Sequence, residues 1–264
     1  MTIATQPANP EHIKLGIIGL GNMGSSHCRL IESIDNIVLA AVCDIDSARL
    51  AKIVSRYGCR GYATSTELIN AGDCDAILVA TPHYDHTTIG IATLQAGLHL
   101  LVEKPISVHK ADCEKLIRAH RHPDKQVFAA MFNQRTNKHY QHIKQLIDSG
   151  ELGQVRRISW TITDWFRSQR YYDSGGWRAT WAGEGGGVLL NQCPHQLDLL
   201  HWLFGMPTAL RAQGKVGKHH NIEVEDDITC WLEYANGATG VFTTTTGEAP
   251  GINRLEIAAD RGLL

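Results

Sequence analysis

Over the first half of the chain, short apolar runs alternate with segments whose apolar residues recur at helical spacing; the alternation changes character near residue 134. Ile13 to Ile18 is a β-branched run of the kind a parallel strand buries on both faces. Met23, Leu30, Ile31 and Ile34 then repeat at helical spacing, and Ile37 to Cys43 is a second apolar run. A helix over 46–57 follows, capped by Asp46 and closed by Gly58. Next come a strand near 61–63, a helix over 65–70, a strand over 75–80 and a helix ending at Ala96-Gly97. A strand over 98–102, a helix over 110–120 and a strand over 127–132 complete this half. Strands and helices taking turns at these lengths predict βαβ units, hence a twisted parallel sheet covered on both faces.

Beyond this point the pattern predicts a helix over 136–149, with Tyr140, Ile143, Leu146 and Ile147 on one face and Gly150 closing it. Polar and apolar residues alternate from Val155 to Phe166, the mark of an antiparallel strand. Residues 167–187 are irregular and dense in aromatic residues, Arg and Gly. Residues 188–204 read as helical, at least from His195 on. Strands are predicted over 208–215, 228–234, 238–246 and 254–259, with Asn236-Gly237 as a two-residue hairpin turn. The expected organisation is a dinucleotide-binding domain over 1–133 and a substrate-binding α+β domain over 134–264.

The nucleotide expectation rests on Gly19, Gly21 and Gly24, which follow the first strand in the spacing G-x-G-x-x-G. These glycines allow a tight turn, close backbone approach to a pyrophosphate, and close helix–strand packing. The helix start at Asn22 and Met23 would turn free amides toward the diphosphate. Asp44, with Ile45 beside it, ends the second strand twenty residues after Gly24, where a carboxylate can accept both ribose hydroxyls of an adenosine. Glycines alone often serve only a turn; strand, glycines, helix, strand and acid within about thirty residues make a fingerprint. The first domain is therefore α/β and Rossmann-type, doubly wound, and the second has a mainly antiparallel open sheet. The acid repels a 2′-phosphate and Asp44-Ile45-Asp46 has no adjacent Arg, so NAD is favoured over NADP; Arg49, five residues on, is the competing signal.

Thr81, Pro82, His83, His86, Glu103, Lys104, Asn133 and Gln134 fall at or just past the carboxyl ends of strands, where such sheets bind ligands. Lys104 precedes Pro105; an ammonium there could stabilise an alkoxide developing on a substrate. His195 suits proton removal from an alcohol near neutral pH, although a core histidine satisfied by a carbonyl fits the same position. Asn191 lies four residues before it and would share its face on a continuous helix, which Pro194 complicates. Trp165, Arg167, Arg170, Tyr171, Tyr172, Trp177, Arg178 and Trp181 could stack on and hydrogen-bond a sugar, or pack beneath a long loop. His83/His86 and His139/His142 are spaced for a metal but lack a third ligand in register, so no metal is expected.

A net charge of −2 with pI near 6.7 gives no reason to expect a nucleic-acid or membrane partner. The seven cysteines form no C-x-x-C pair, which points to a reducing compartment. The polar opening MTIATQPANPEH lacks the apolar core of a secretory signal and no run is long enough to span a membrane, so a cytoplasmic protein is expected.

GLGNMGSSH, AVCDID, ATPHYDHTTIGIATLQAGLHLLVEKPIS, GELGQV and GGGVLLNQCPHQLDLLHWLFG, in this order, resemble the glucose–fructose oxidoreductase/inositol dehydrogenase/MocA (Gfo/Idh/MocA) family. The resemblance implies a dehydrogenase that moves hydride between NAD and a carbinol carbon of a sugar, cyclitol or sugar derivative. By position it implies Lys104 and His195 as catalytic groups. Gly19, Gly21, Asn22, Met23, Gly24, Asp44, Ile45, Thr81, Pro82, His86, Glu103 and Lys104 would line the cofactor. Asn133, Tyr172, Arg178, Trp181, Asn191 and His195 would meet a polyhydroxylated substrate lying between the domains. It also implies a homo-oligomer, dimer or tetramer, formed through the second-domain sheet. Many members carry Asp where this chain has Asn191, so the residue reads as a substrate-binding or orienting group rather than an acid. Members usually run some sixty residues further, so the second domain reads as incomplete at its C-terminus, with higher stability and better activity expected of a longer form. Two other readings stay open: a glycosidase that uses NAD internally by transient oxidation and elimination, and a non-catalytic NAD or sugar sensor.

Overall fold

Each apolar run of the first half becomes a strand of one parallel sheet. The strands are β1 (Ile13–Ile18), β2 (Ile37–Cys43), β3 (Arg60–Tyr62), β4 (Ala76–Val79), β5 (His99–Val102) and β6 (Phe128–Ala130), in the order β3-β2-β1-β4-β5-β6. All of these pairs are parallel. The order reverses between β1 and β4, so the loops leaving those two strands diverge around a crevice at the sheet's carboxyl edge. The connecting helices are α1 (Asn22–Ile31), α2 (Ser47–Tyr57), α3 (Ser65–Asn70), α4 (Asp85–Gln95) and α5 (Lys110–Ala119). This computed structural model describes residues 12–264; the polar opening read above lies, up to residue 11, outside the described residues. The chain divides into two compact units, the first ending at Met131 and the second running from Phe132 to Leu264.

Local chemistry sets the helix ends. Asp46 Oδ1 accepts the Ala48 and Arg49 amides at 3.0 Å, and Gly58 closes α2 in the left-handed region at φ 64°. Thr64 and Glu67 form a reciprocal capping box at α3. The buried face of α1 departs from the sequence expectation. Met23, Leu30 and Ile34 are exposed, while Gly24, His27, Cys28 and Ile31 face inward. The apolar pattern misleads because the inward positions next to the turn demand a small residue and a hydrogen-bonding one.

The second unit opens with a 3₁₀ turn (Asn133–Thr136) and α6 (Lys138–Asp148) and is built on a second six-stranded sheet. Its strands are β7 (Val155–Ile162), β8 (Ala209–Val216), β9 (Glu225–Glu233), β10 (Thr239–Thr245), β11 (Asn253–Ala259) and the short β12 (Gly262–Leu263), ordered β12-β11-β7-β10-β9-β8. Only the β7–β10 pair is parallel, so the sheet is mainly antiparallel, as expected. Alternation places Ile158, Trp160, Ile162, Ile228, Cys230, Leu232, Phe242 and Ile257 on one face. That face packs against Tyr140, Ile143 and Ile147 of α6 and Leu199 and Leu200 of α8 (Pro194–Phe204).

Four expectations are corrected here. The strand from Val155 ends at Ile162, before Phe166, because Thr163 leaves the ladder to bond Ile252 through both its amide and its hydroxyl. The helix expected from residue 188 starts at Pro194, whose missing N–H suits a first turn. Before it, the Gln192 and Cys193 amides share the Val188 carbonyl, which interrupts the helical bonding pattern. Residues 169–173 of the irregular stretch form a short helix, α7 (Gln169–Asp173). The Asn236-Gly237 hairpin has a three-residue rather than a two-residue connection. Tyr234 pairs with Ala238, the Gly237 amide bonds the Tyr234 carbonyl, and Gly237 takes φ 81°.

All seven cysteines are free, and burial pushes the thiols of Cys28, Cys43 and Cys74 up to about 11. No helix among the described residues is long and apolar enough to cross a membrane. Trp160 is fully buried at the centre of the second core. Trp160→Ala is expected to destabilise the protein by about 3–5 kcal/mol, read from the urea midpoint, because the cavity refills only partly. A loss under 1 kcal/mol would contradict this packing.

Candidate functional site: a glycine turn and the loops beside it

The turn after β1 is shaped by contacts that exclude side chains. Gly19 has φ 90°, and a Cβ there would lie 2.8 Å from the Ala80 carbonyl and the Thr81 amide. A Cβ on Gly24 would come 1.8 Å from the Gly19 carbonyl oxygen, whereas one on Gly21 would meet nothing within 4 Å. Gly19 and Gly24 therefore admit close packing, and Gly21 leaves backbone open to a ligand. Asn22 and Met23 begin α1 there, with Met23 half exposed.

Asp44, 6 % exposed, caps this turn. Its Oδ2 accepts the Leu20 amide at 2.7 Å and its Oδ1 the Asp46 amide at 2.8 Å, while Arg49 Nη1 lies 3.2 Å from both oxygens. Arg49, the competing signal in the sequence, is brought onto Asp44 by the first turn of α2. Ile45 is almost fully exposed.

Around the loops after β4 and β5 the contacts are dense. His86, fully buried, faces the Thr81 carbonyl with Nε2 at 2.9 Å and the Pro105 carbonyl with Nδ1 at 2.8 Å, so it is wedged between the two loops and, as a neutral imidazole, donates to one of the two carbonyls. Burial pulls its pKa below the ordinary histidine value, against the two carbonyls and the charges of Glu103 and Asp85. The Thr81 hydroxyl is buried with no hydrogen-bond partner among the described residues, a polar atom left over at the mouth of the crevice. Glu103 Oε1 lies 2.6 Å from His27 Nε2 of α1, and Glu103 Oε2 accepts the Lys104 amide at 3.1 Å. Burial would raise the Glu103 carboxyl, but the His27 hydrogen bond and charge, with those of Lys104, hold it below the usual carboxylate range. Lys104 itself is partly exposed, and Pro82 is exposed. His27 was missed by sequence reasoning; its signal was a histidine on a helix face otherwise lined by Gly, Cys and Ile.

In the second unit His195 occupies the first turn of α8, its ring edge-on to Phe132 at 6.1 Å. Asn191 lies before that helix, so the two do not share a continuous helical face. Asn191 Nδ2 instead donates to Oε1 of the buried Glu184, whose Oε2 accepts the Ala179 amide at 2.7 Å. Ala179 sits in the left-handed region at φ 53°, a conformation this contact helps hold. Glu184 was also missed: a single acid within a glycine-rich stretch carries no pattern.

The aromatic segment splits in two. Tyr172 is buried and bonded to the Thr246 hydroxyl at 2.8 Å, with burial pushing its phenol up to about 12. Arg178 donates to the Tyr171 hydroxyl at 2.8 Å and lies over the Tyr171 and Trp177 rings. Trp181 is half exposed, its amide on Glu223 at 2.6 Å. Asn133 is exposed on the 3₁₀ turn, which Arg135 fastens to α8 through a two-pronged pair with Asp198 at 2.7 and 2.5 Å.

A parallel sheet with a glycine turn at its switch point, followed by an α+β unit on a mixed sheet, defines a Rossmann-type two-domain architecture. A family model described as "Oxidoreductase family, NAD-binding Rossmann fold" matches residues 13–131, and one described as "GFO/IDH/MocA C-terminal domain" matches 140–264. The chain belongs to the Gfo/Idh/MocA family. It is similar to the WlbA dehydrogenase of Chromobacterium violaceum, whose crystal structure holds NADH and UDP-GlcNAcA: 31% identity, TM-score 0.89, covering 99% of this chain and 76% of that one. It is 28% identical to the inositol 2-dehydrogenase of Salmonella typhimurium over 72% of this chain, and spans about half (54%) of that protein's length. The myo-inositol 2-dehydrogenase of Thermotoga maritima is 26% identical over 95% of this chain and 74% of its own length.

His86 makes a testable statement about pH. Its folded-state pKa lies below the ordinary value, so its contribution to stability is complete above about pH 6.5 and is lost as pH falls and protonation favours the unfolded chain. Thermal melts are expected to fall more steeply between pH 7.5 and 5.5 for the wild type than for His86→Asn; parallel curves would contradict the assignment.

Proposed function

We propose that this protein is an NAD-dependent dehydrogenase acting on a carbinol carbon of a sugar, cyclitol or sugar derivative. The observation that carries the reading is the turn at Gly19–Gly24, open at Gly21 and closed elsewhere, at the switch point of a parallel sheet. Family membership and the named activities of the relatives support it. The first unit would hold the dinucleotide. Gly21, Asn22, Met23 and the start of α1 offer amides to the diphosphate, with Asp44 and Ile45 at the adenosine ribose once Arg49 swings aside. Thr81 and Pro82 would line the other end, with the buried His86 and Glu103 supporting them from behind, and the Thr81 hydroxyl fits a polar group of the cofactor. The bound nicotinamide supplies the hydride acceptor; everything else is done by the chain. His195 accepts the hydroxyl proton as the carbinol is oxidised, and the Lys104 ammonium stabilises the alkoxide that develops.

The second unit would recognise the substrate. Asn133, Arg178 and Trp181 offer two donors and an aromatic face to a polyhydroxylated ring. Asn191, held by Glu184, orients the loop that enters α8, and Tyr172 supports the segment from behind. The uncovered face of the second sheet, carrying Trp231 and Thr229, supports a homo-oligomer formed through that sheet. The free cysteines support a reducing, cytoplasmic setting.

The test is absorbance of the reduced nicotinamide during incubation with NAD and a panel of inositols, aldoses and glycosides. Accumulating NADH is expected. Lys104→Met and His195→Ala are each expected to lower kcat/KM about a hundredfold or more while NAD affinity is retained. Glycoside cleavage without net NADH would replace the dehydrogenase with an NAD-using glycosidase, and NAD binding without turnover would make the protein a sensor.

A further inference from the structure

The groove between α1 and α2 is charged in a way the dehydrogenase reading does not use. It encloses about 490 Å³, starts at Gly21 and Asn22, and runs down to Tyr57. Arg29 of α1 and Arg49, Lys52 and Arg56 of α2 all line it. These are every Lys and Arg of the two helices, and neither helix contains an Asp or Glu. Arg49 is engaged by Asp44 and Asp46 at 3.2 and 3.3 Å. Arg29, Lys52 and Arg56 have no ion-pair partner among the described residues, and Arg56 rests over the Tyr57 ring at 5.2 Å.

Such an arrangement works against the helix that carries it. Arg49, Lys52 and Arg56 are spaced three and four apart, so like charges share one face of α2 and repel. Arg49 also stands in the first turn, where the helix dipole disfavours a cation. An anion in the groove would relieve both effects at once. A single phosphate could meet only one end, since Arg49 and Arg56 are seven residues, or about 10 Å, apart along the axis. The amide-rich start of α1 at the groove's upper end favours negative charge as well.

We infer that the α1–α2 groove is a binding site for an oligophosphate chain, free or carried by a nucleotide. It lies outside the residues assigned above to the nicotinamide dinucleotide, apart from the shared Gly21–Asn22 corner and Arg49.

Calorimetric titration of the full chain with inorganic tripolyphosphate and with ATP tests this, with NAD titrated in parallel so that the two sites are read separately. Saturable binding that weakens with added salt is expected. The double variant Lys52→Gln/Arg56→Gln should weaken it at least about tenfold, because two charge-assisted contacts are lost, with NAD affinity unchanged. Arg29→Gln, on the opposite wall, should weaken it in the same direction and guards against a folding defect in α2. ATP binding tighter than tripolyphosphate would identify a nucleotide as the ligand; equal affinities would identify the phosphate chain alone. No saturable binding of either compound overturns the inference. So does binding that the variants leave untouched, which would put the phosphates on the glycine turn, or preferential binding of NADP that depends on Arg49 alone.

Discussion

Everything in the first unit depends on one contact without side chains: α1 lies so close to the β1 turn that Gly24 sits against the Gly19 carbonyl. The contact aims the start of α1 across the crevice at the sheet's switch point. It also turns the inward face of α1 toward Glu103, so that His27 can reach it. A larger residue at Gly24 would displace the helix, the amides it presents and the His27–Glu103 pair together. The Asp44 carboxylate closes the same turn from the other side by accepting the Leu20 amide. The turn after β1 is thus held by α1 on one side and by the end of β2 on the other.

The loop carrying Lys104 is fixed with comparable redundancy. His27 holds Glu103, Glu103 holds the Lys104 amide, and His86 packs between the Pro105 and Thr81 carbonyls, donating to one of them. Such supports fix the backbone of the loop that carries Lys104. In the second unit Glu184 does similar work for the loop before α8, tying Asn191 to the backbone at Ala179. Where many family members place Asp, this chain has Asn191 hydrogen-bonded to the buried Glu184 side chain.

The sequence revealed the alternating first half almost element by element, because period-two and period-3.6 patterns interrupted by Gly and Asp leave few alternatives. Asp46 and Gly58 mark the ends of α2 as the residues alone suggested. The glycine turn, Asp44 and the Glu103-Lys104-Pro105 loop were legible for the same reason: each pairs a residue type with a position that demands it. Partnerships across the fold were hidden. That Arg49 folds onto Asp44, His27 onto Glu103 and Asn191 onto Glu184 depends on distances between elements, which spacing does not encode. Pattern also failed where function or packing overruled apolarity, as on α1, and in residues 167–193, where glycines and aromatic residues fold through specific side-chain bonds.

The central claim, that a nicotinamide dinucleotide lies over the Gly19–Gly24 turn, is tested most directly by titrating NAD into the wild type and into Gly24→Val. The account expects micromolar or tighter binding by the wild type and its loss in the variant, with the circular-dichroism spectrum preserved. Equal affinity in both proteins would contradict it.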